Sequence, residues 1–225
     1  MDHVLDNPIW NALSTGNRNL AFGNDKALYI KRDVGFFAGL KTNSIENIAA
    51  LHHLISPGTT VYLFIDGEVP VSSKWQVHKK TGILQMVLHS GKTVINKSDD
   101  IVPLYDKDIP AMIELTKLTN PGPFLSRSID YGNYEGIFNN DQLIAMAGQR
   151  LQPDPYTEVS AVCTHPDHTG KGYAARLIIN QINKIINDSR VPFLHVYPDN
   201  DSAIKLYKKL GFSVRKELTL YVLNS

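Results

Sequence analysis

The chain has 225 residues, of which 43% are hydrophobic and 20% are charged, a balance typical of globular proteins that bury a sizeable core. Its formal net charge of +1 excludes an overall positive electrostatic field that would attract nucleic acid or an anionic membrane. No apolar stretch approaches the ~20 residues that span a bilayer. The single cysteine, Cys163, excludes an intramolecular disulfide and argues against a thiolate metal site, so we expect a cytoplasmic protein without a metal.

The N-terminal half is predicted to mix strands with one helix. Ser44 is expected to cap this helix, and Pro57 with Gly58 is expected to end the segment. Runs of β-branched and aromatic residues predict strands at residues 27–32, 34–40, 59–65, 74–78 and 82–88. No residue set in this half suggests chemistry. The polar stretch 90–100 is the predicted boundary, which gives an α+β domain at residues 1–98 and a second domain at residues 99–225.

The C-terminal half has a clearer order of elements. Helices are predicted at residues 108–119, 174–187 and 202–210. Strands are predicted at residues 101–104, 134–138, 143–150, 157–164, 193–197 and 218–223, with a hairpin turn at residues 139–141. The order is strand, helix, three strands, helix, strand, helix and strand. It predicts an α+β fold, in which helices pack against a mixed sheet.

A glycine-containing segment, HPDHTGKGYA at residues 165–174, lies between a predicted strand and a long predicted helix. Gly170 and Gly172 remove side chains where the backbone approaches a ligand, and the helix start offers free N–H groups with a positive dipole end. Lys171 adds a cation at the rim. This arrangement suits a pyrophosphate, although the segment alone is equally compatible with a tight strand-to-helix turn.

A second motif follows the next predicted strand. It consists of Asn200, Ala203, Tyr207 and Gly211-Phe212, and its alanine and tyrosine share one helix face at i, i+4. Taken alone, Tyr207 reads as an amphipathic core residue and Asn200 as a turn or helix-cap residue. The motif gains meaning from its position after the glycine segment.

In this order, the two motifs resemble the GNAT superfamily of N-acetyltransferases, particularly its glycine N-acyltransferase-like branch, over residues 101–221. The resemblance implies acetyl-CoA as acyl donor, with Asn200 hydrogen-bonded to its pantetheine arm. Further cofactor contacts are implied for the strand Val162, Cys163 and Thr164 and for the loop Thr169, Gly170, Lys171, Gly172, Tyr173, Ala174 and Ala175. Thr169 departs from the family, which usually has Arg or Gln there.

The resemblance also implies direct attack of an amine on the acetyl thioester. Tyr207 matches the family's general acid, which protonates the departing thiolate. The base is left open between His195, Glu158 and a chain of water molecules. Backbone N–H groups of strand 162–164 would stabilise the oxyanion. We expect Cys163 to be a buried strand residue and not a nucleophile, because the motif supplies no base for it.

Two other functions stay open at this stage. The fold could bind acyl-CoA as a sensor without turnover, or the chain could act as a protein-interaction module. The N-terminal half is expected to be either a degenerate copy of the same fold or an unrelated α+β cap that shapes the acceptor pocket. The acceptor is expected to be a small-molecule or peptide amine.

Overall fold

A computed structural model of the chain describes residues 3–88, 100–119 and 121–225. The predicted domain boundary at residue 98 lies outside the described residues. The helices are α1 (Pro8–Ser14), α2 (Ile45–Leu54), α3 (Ile109–Thr119), α4 (Tyr173–Asn187) and α5 (Asp201–Lys209). The strands are β1 (Ala21–Gly23), β2 (Ala27–Ile30), β3 (Ala38–Leu40), β4 (Thr60–Ile65), β5 (Gln76–Val87), β6 (Ile101–Pro103), β7 (Glu135–Asn139), β8 (Gln142–Gln149), β9 (Tyr156–Thr164), β10 (Val191–Val196) and β11 (Ser213–Asn224).

The largest sheet has eight strands in the order β4-β11-β5-β10-β9-β8-β7-β6. Among its described pairs β9 and β10 run parallel, and the others run antiparallel. This mixed sheet with its helices confirms the predicted α+β class. Two of the strands, β4 and β5, precede residue 98, so the sheet takes strands from both sides of the predicted boundary.

The N-terminal elements form a smaller layer beside this sheet. Strands β1, β2 and β3 make a three-stranded antiparallel sheet, which a parallel bridge between Phe37 and Tyr62 links to β4. Helix α1 was not predicted from sequence. It begins at Pro8, which favours a first helical position, and it buries Ile9 and Leu13 in the core.

The prediction for residues 74–88 was wrong in one respect, because β5 is one strand of 12 residues and not two strands. Strand β11 runs beside it and pairs with Lys79, Lys80 and Thr81, the polar residues that read as a connection. Backbone pairing with a neighbouring strand can keep polar residues in a strand. Their side chains are tolerated there because one face of an antiparallel sheet can be exposed to water. The prediction for α2 is confirmed, since the Ser44 hydroxyl accepts from the Asn47 N–H at 3.2 Å.

Helix α4 covers one face of the large sheet below β8, β9 and β10. It buries Leu177, Ile178, Ile182 and Ile185 at helical spacing. Each such side chain stabilises the fold by about 1.5–3 kcal/mol when fully buried. Helix α5 ends at Lys209, and Gly211, two residues later, has a φ of +97°, the left-handed conformation that closes a helix. In the part of the chain that the structure describes, no helix is long and apolar enough to cross a membrane.

Candidate active site

The parallel strands β9 and β10 separate part-way along the sheet. They pair only from Tyr156 to Glu158 on β9 and from Val191 to Phe193 on β10. Beyond that point β10 stays paired with β5, and β9 stays paired with β8. The facing edges therefore leave backbone N–H and C=O groups without a strand neighbour, and a cleft opens there.

A β-bulge marks the cleft side of β9. Met146 pairs with Cys163 and Gly148 pairs with Ser160, so β9 has one residue more than β8 between these two pairs. Ala161 carries the strain, with a φ of +51° that non-glycine residues seldom adopt. Ala161 and Val162 both line the cleft. Strain of this kind is typical of sites where a strand must aim backbone groups at a ligand.

The glycine loop follows β9 directly and leads into α4. Gly170 and Gly172 have φ values of +76° and +82°, and a Cβ atom added at either would meet no atom within 4 Å. The space before the loop is therefore open, and the first turn of α4 leaves its N–H groups without helical partners. The loop fits an anion such as a pyrophosphate. The Thr169 hydroxyl, however, donates to the Pro166 carbonyl at 3.0 Å.

Asn200 and Tyr207 both line the cleft from α5. The Asn200 side-chain oxygen accepts from the Ala203 N–H at 3.2 Å, so Asn200 also caps this helix, as its sequence context allowed. Burial raises the pKa of the Tyr207 hydroxyl to about 12. The hydroxyl therefore stays protonated at neutral pH and can donate a proton.

Glu158 lies behind the cleft in a buried ion pair. Its carboxylate accepts from Arg150 Nε at 2.9 Å and from Arg150 Nη2 at 2.6 Å, and its side chain is 0% exposed. Burial alone would raise the pKa of Glu158, but the Arg150 guanidinium and the neighbouring His195 lower it to about 2. Glu158 is thus an ionised partner for Arg150 at neutral pH.

His195 is fixed in one neutral tautomer by Gln85. Gln85 Nε2 lies 3.0 Å from the Leu5 carbonyl, which can only accept, and Arg215 Nε, which can only donate, lies 2.6 Å from Gln85 Oε1. The amide N–H of Gln85 therefore faces His195 Nε2 at 3.1 Å, and His195 Nδ1–H donates to Glu158 Oε1 at 2.7 Å. Burial lowers the pKa of His195, although Glu158 acts in the opposite direction.

The structure brings most of the predicted residues together. Tyr207, Asn200, Val162 and His195 line the cleft, His195 with a fully buried side chain, and Glu158 lies fully buried behind the cleft surface. The loop from Thr169 to Ala175 lies past the end of β9, outside the cleft lining. Cys163 is buried, and burial raises the pKa of its thiol to about 12, which disfavours a nucleophilic thiolate.

Two polar residues of the cleft, Arg150 and Tyr131, and its aromatic wall were not singled out from the sequence. The wall comes from the N-terminal half and consists of Phe36, Phe37, Tyr62 and Phe64. Arg150 had one usable signal, since a charge directly after the apolar run of β8 calls for a buried partner. Tyr131 and the wall had none, because only the folded chain brings them to β9.

Two sequence comparisons place the C-terminal half among known proteins. Residues 134–222 match the model of the family described as FR47-like protein. Mycothiol acetyltransferase of Corynebacterium efficiens is 29% identical over 86 residues, which are 38% of this chain and 29% of that relative. The match therefore spans less than a third of the length of that curated relative.

Solved structures extend the likeness to the whole chain. A GNAT-family structure from Novosphingobium aromaticivorans DSM 12444 is 34% identical, with a TM-score of 0.93 over 100% of this chain and 99% of that one. A GCN5-related N-acetyltransferase from Kribbella flavida shares the fold at 15% identity, with a TM-score of 0.60 over 97% of this chain and 95% of its own. By its identity and full coverage in the first comparison, the chain belongs to the GNAT family of acetyltransferases.

Proposed function

We propose that the protein transfers an acetyl group from acetyl-CoA to a primary amine by direct attack on the thioester. The observation that carries this proposal is the separation of β9 from β10 beside the bulge at Ala161. It leaves strand edges free for an extended ligand. An anion-ready loop lies at one end of β9, and the protonated Tyr207 hydroxyl lines the cleft.

Acetyl-CoA supplies an acyl group activated as a thioester. The backbone of Val162, Cys163 and Thr164 would pair with its pantetheine arm, and Asn200 would donate its remaining amide N–H to the same arm. The loop would bind the pyrophosphate through N–H groups of residues 170–175, with Lys171 at the rim. Because the Thr169 hydroxyl is engaged by Pro166, it contributes no direct contact in this arrangement.

The cleft supplies backbone donors for the developing negative charge and one side chain, Tyr207, for proton transfer to sulfur. Backbone N–H groups beside the bulge stabilise negative charge on the carbonyl oxygen while the amine nitrogen forms the new N–C bond. Tyr207 donates its proton to sulfur as the C–S bond breaks. In balance, one ammonium and one thioester give one amide and one thiol; one ammonium proton leaves to water, and a second restores the Tyr207 hydroxyl.

Water is proposed to accept the proton of the amine. Both acceptor positions that a base would need are occupied, since His195 Nε2 faces Gln85 and the Glu158 carboxylate binds Arg150. We assign His195 and Glu158 to positioning Arg150 at the cleft. Their predicted roles as base, like that of Tyr207 as acid, stay predictions.

We also propose that the N-terminal half is a degenerate copy of the C-terminal half. Three antiparallel strands, a helix and two strands occur in both, as β1–β3, α2, β4, β5 and as β7–β9, α4, β10, β11. The parallel bridge between Phe37 and Tyr62 corresponds to the pairing of β9 with β10. This proposal includes two domains, at residues 1–98 and 99–225. It also includes a likeness to the glycine N-acyltransferase-like branch.

Calorimetric titration with acetyl-CoA, CoA and ATP tests the proposal first. We expect micromolar binding of acetyl-CoA and none of ATP, followed by amine-dependent release of free thiol. Binding without thiol release from any amine would favour the acyl-CoA sensor instead. Absence of binding would favour the protein-interaction module.

A further inference from the structure

The cleft includes a region with a polar end, which comes from the C-terminal half, and an aromatic wall, which comes from the N-terminal half. Tyr131, Arg150 and Ser160 lie at the polar end. The acyl-donor contacts described above use none of these side chains. Their unused hydrogen-bonding capacity therefore bears on the other substrate.

Arg150 keeps part of its donor capacity free. A guanidinium has five N–H donors, and Glu158 takes only those of Nε and one of Nη2. Among the described residues, no acceptor binds Arg150 Nη1. The Arg150 side chain is 19% exposed and lines the cleft, whereas that of Glu158 is fully buried.

Tyr131 adds a second free donor beside this guanidinium. Its hydroxyl is buried and has no hydrogen-bond partner in the described part of the chain. Gly35 makes room for it, since a Cβ at Gly35 would lie 2.4 Å from the hydroxyl oxygen. A buried hydroxyl without a partner destabilises a fold, so a retained one points to a ligand that completes it.

The opposite wall is apolar. Phe37 packs edge-on against Phe64 with ring centroids 5.3 Å apart, and Phe36 packs against Tyr62 at 5.6 Å. The Arg150 guanidinium lies over the Phe37 ring at 4.9 Å from its centroid. The free cationic donors thus lie directly beside the apolar wall.

We propose that the acceptor is an α-amino acid with an apolar side chain, whose carboxylate binds the free N–H groups of Arg150 and the hydroxyl of Tyr131. This inference rests on the proposed acetyl transfer. A carboxylate accepts from a guanidinium and a phenol at once through charge-assisted hydrogen bonds. The apolar side chain packs on the Phe36, Phe37, Tyr62 and Phe64 wall, and the product is an N-acetyl amino acid.

Three matched acceptors test the class of substrate. L-Phenylalanine, L-phenylalaninamide and phenethylamine share the aromatic body, and only the first carries a carboxylate. We expect kcat/KM for L-phenylalanine to exceed those of the other two by at least about 100-fold, because the site is left with unpaired donors otherwise. Comparable values for the three, or turnover of none by a protein that binds acetyl-CoA, would overturn the inference. Failure to bind acetyl-CoA would instead remove the proposed function.

A variant supplies a readout that does not depend on turnover. We expect Tyr131→Phe to keep or raise the melting temperature, since it removes an unpartnered buried hydroxyl, and to weaken L-phenylalanine binding about tenfold in titrations with CoA present. Tyr156→Phe is the matched control, because its hydroxyl meets His3 at the surface. Unchanged L-phenylalanine affinity in Tyr131→Phe would remove Tyr131 from the site.

Discussion

Tyr207 and Glu158 differ in protonation because their surroundings differ. Tyr207 keeps its proton since burial raises its pKa to about 12. Glu158 keeps its charge since Arg150 and His195 lower its pKa to about 2 despite burial. Of these two residues, Tyr207 lines the cleft and has a proton to give. The proposed reaction therefore has a defined acid and a positioned cation.

Tyr207→Phe is predicted to lower kcat by about 10²–10⁴-fold, the usual contribution of general acid catalysis. The acetyl-CoA affinity should change little, because the ring still packs against Phe212. Steady-state kinetics and a parallel calorimetric titration measure the two effects separately. Normal turnover with a good acceptor would remove Tyr207 from the mechanism.

Residues with local sequence signals could be predicted, and residues with distant partners could not. Gly170, Gly172 and Tyr207 belong to short motifs, and the structure places the first two in left-handed backbone as a phosphate loop requires. His195 was predicted as a candidate base, but its tautomer depends on Gln85, 110 residues away in the chain. Arg150 and Tyr131 have the same difficulty, since their roles depend on contacts between the halves.

At the scale of elements, the site arises where strands and helices end or separate. Strands β9 and β10 part after three paired residues each, α5 begins next to the space so formed, and α4 begins past the end of β9. The prediction of these elements followed from periodicity, whereas the separation of the strands did not. Parallel pairing is set by contacts distant in sequence, so no local pattern specifies where it stops.

Gly172→Glu is predicted to abolish acetyl-CoA binding while the protein stays folded. The added carboxylate would occupy the open space before α4 and repel the pyrophosphate. Strain from a side chain at a φ of +82° would cost about 1 kcal/mol of stability.

Gly58→Glu separates these two effects, since Gly58 has a φ of +76° with open space around it and lies away from the cleft lining. It should lose similar stability and bind acetyl-CoA normally. Equal affinities of the two variants, measured by calorimetry, would contradict the assignment of the loop.

At the scale of the whole molecule, partly buried charges tie the two halves together. Asp6 pairs with Arg215 at 2.5 Å and with Lys216 at 3.1 Å, and Arg215 in turn donates to Gln85 beside His195. Burial alone would raise the pKa of Asp6, but these two cations lower it to about 2. A chain of polar contacts therefore runs from the N-terminal residues to the cleft.

Stability is predicted to fall in two steps as the pH is lowered. Burial lowers the pKa of His195 from 6.5, so below that pH the unfolded chain binds a proton that the folded chain does not, and the unfolding free energy decreases. The carboxylates of Asp6 and Glu158 stabilise the fold above their ordinary pKa values, and this contribution is lost as the pH falls towards 2.

Urea unfolding at pH 7.5, 5.5, 4 and 2.5 measures these steps. His195→Gln should lose the dependence between pH 7.5 and 5.5, with a change of up to about 1.4 kcal/mol per pH unit in the parent protein. His53→Gln, which alters an exposed histidine, should keep it. A flat unfolding free energy in the parent protein over this range would contradict the prediction.

The two halves are predicted to depend on each other for folding. Strand β11 of the C-terminal half has β4 and β5 as its sheet neighbours, and β5 also separates it from β10. A fragment of residues 99–225 would leave β11 unpaired and expose the edge of β10, which favours aggregation. We expect this fragment alone to lack a cooperative unfolding transition, and co-expression with residues 1–98 to restore the transition together with acetyl-CoA binding. A cooperatively folded fragment that binds acetyl-CoA by itself would show that the C-terminal half is an autonomous domain and that the shared sheet is dispensable for its stability.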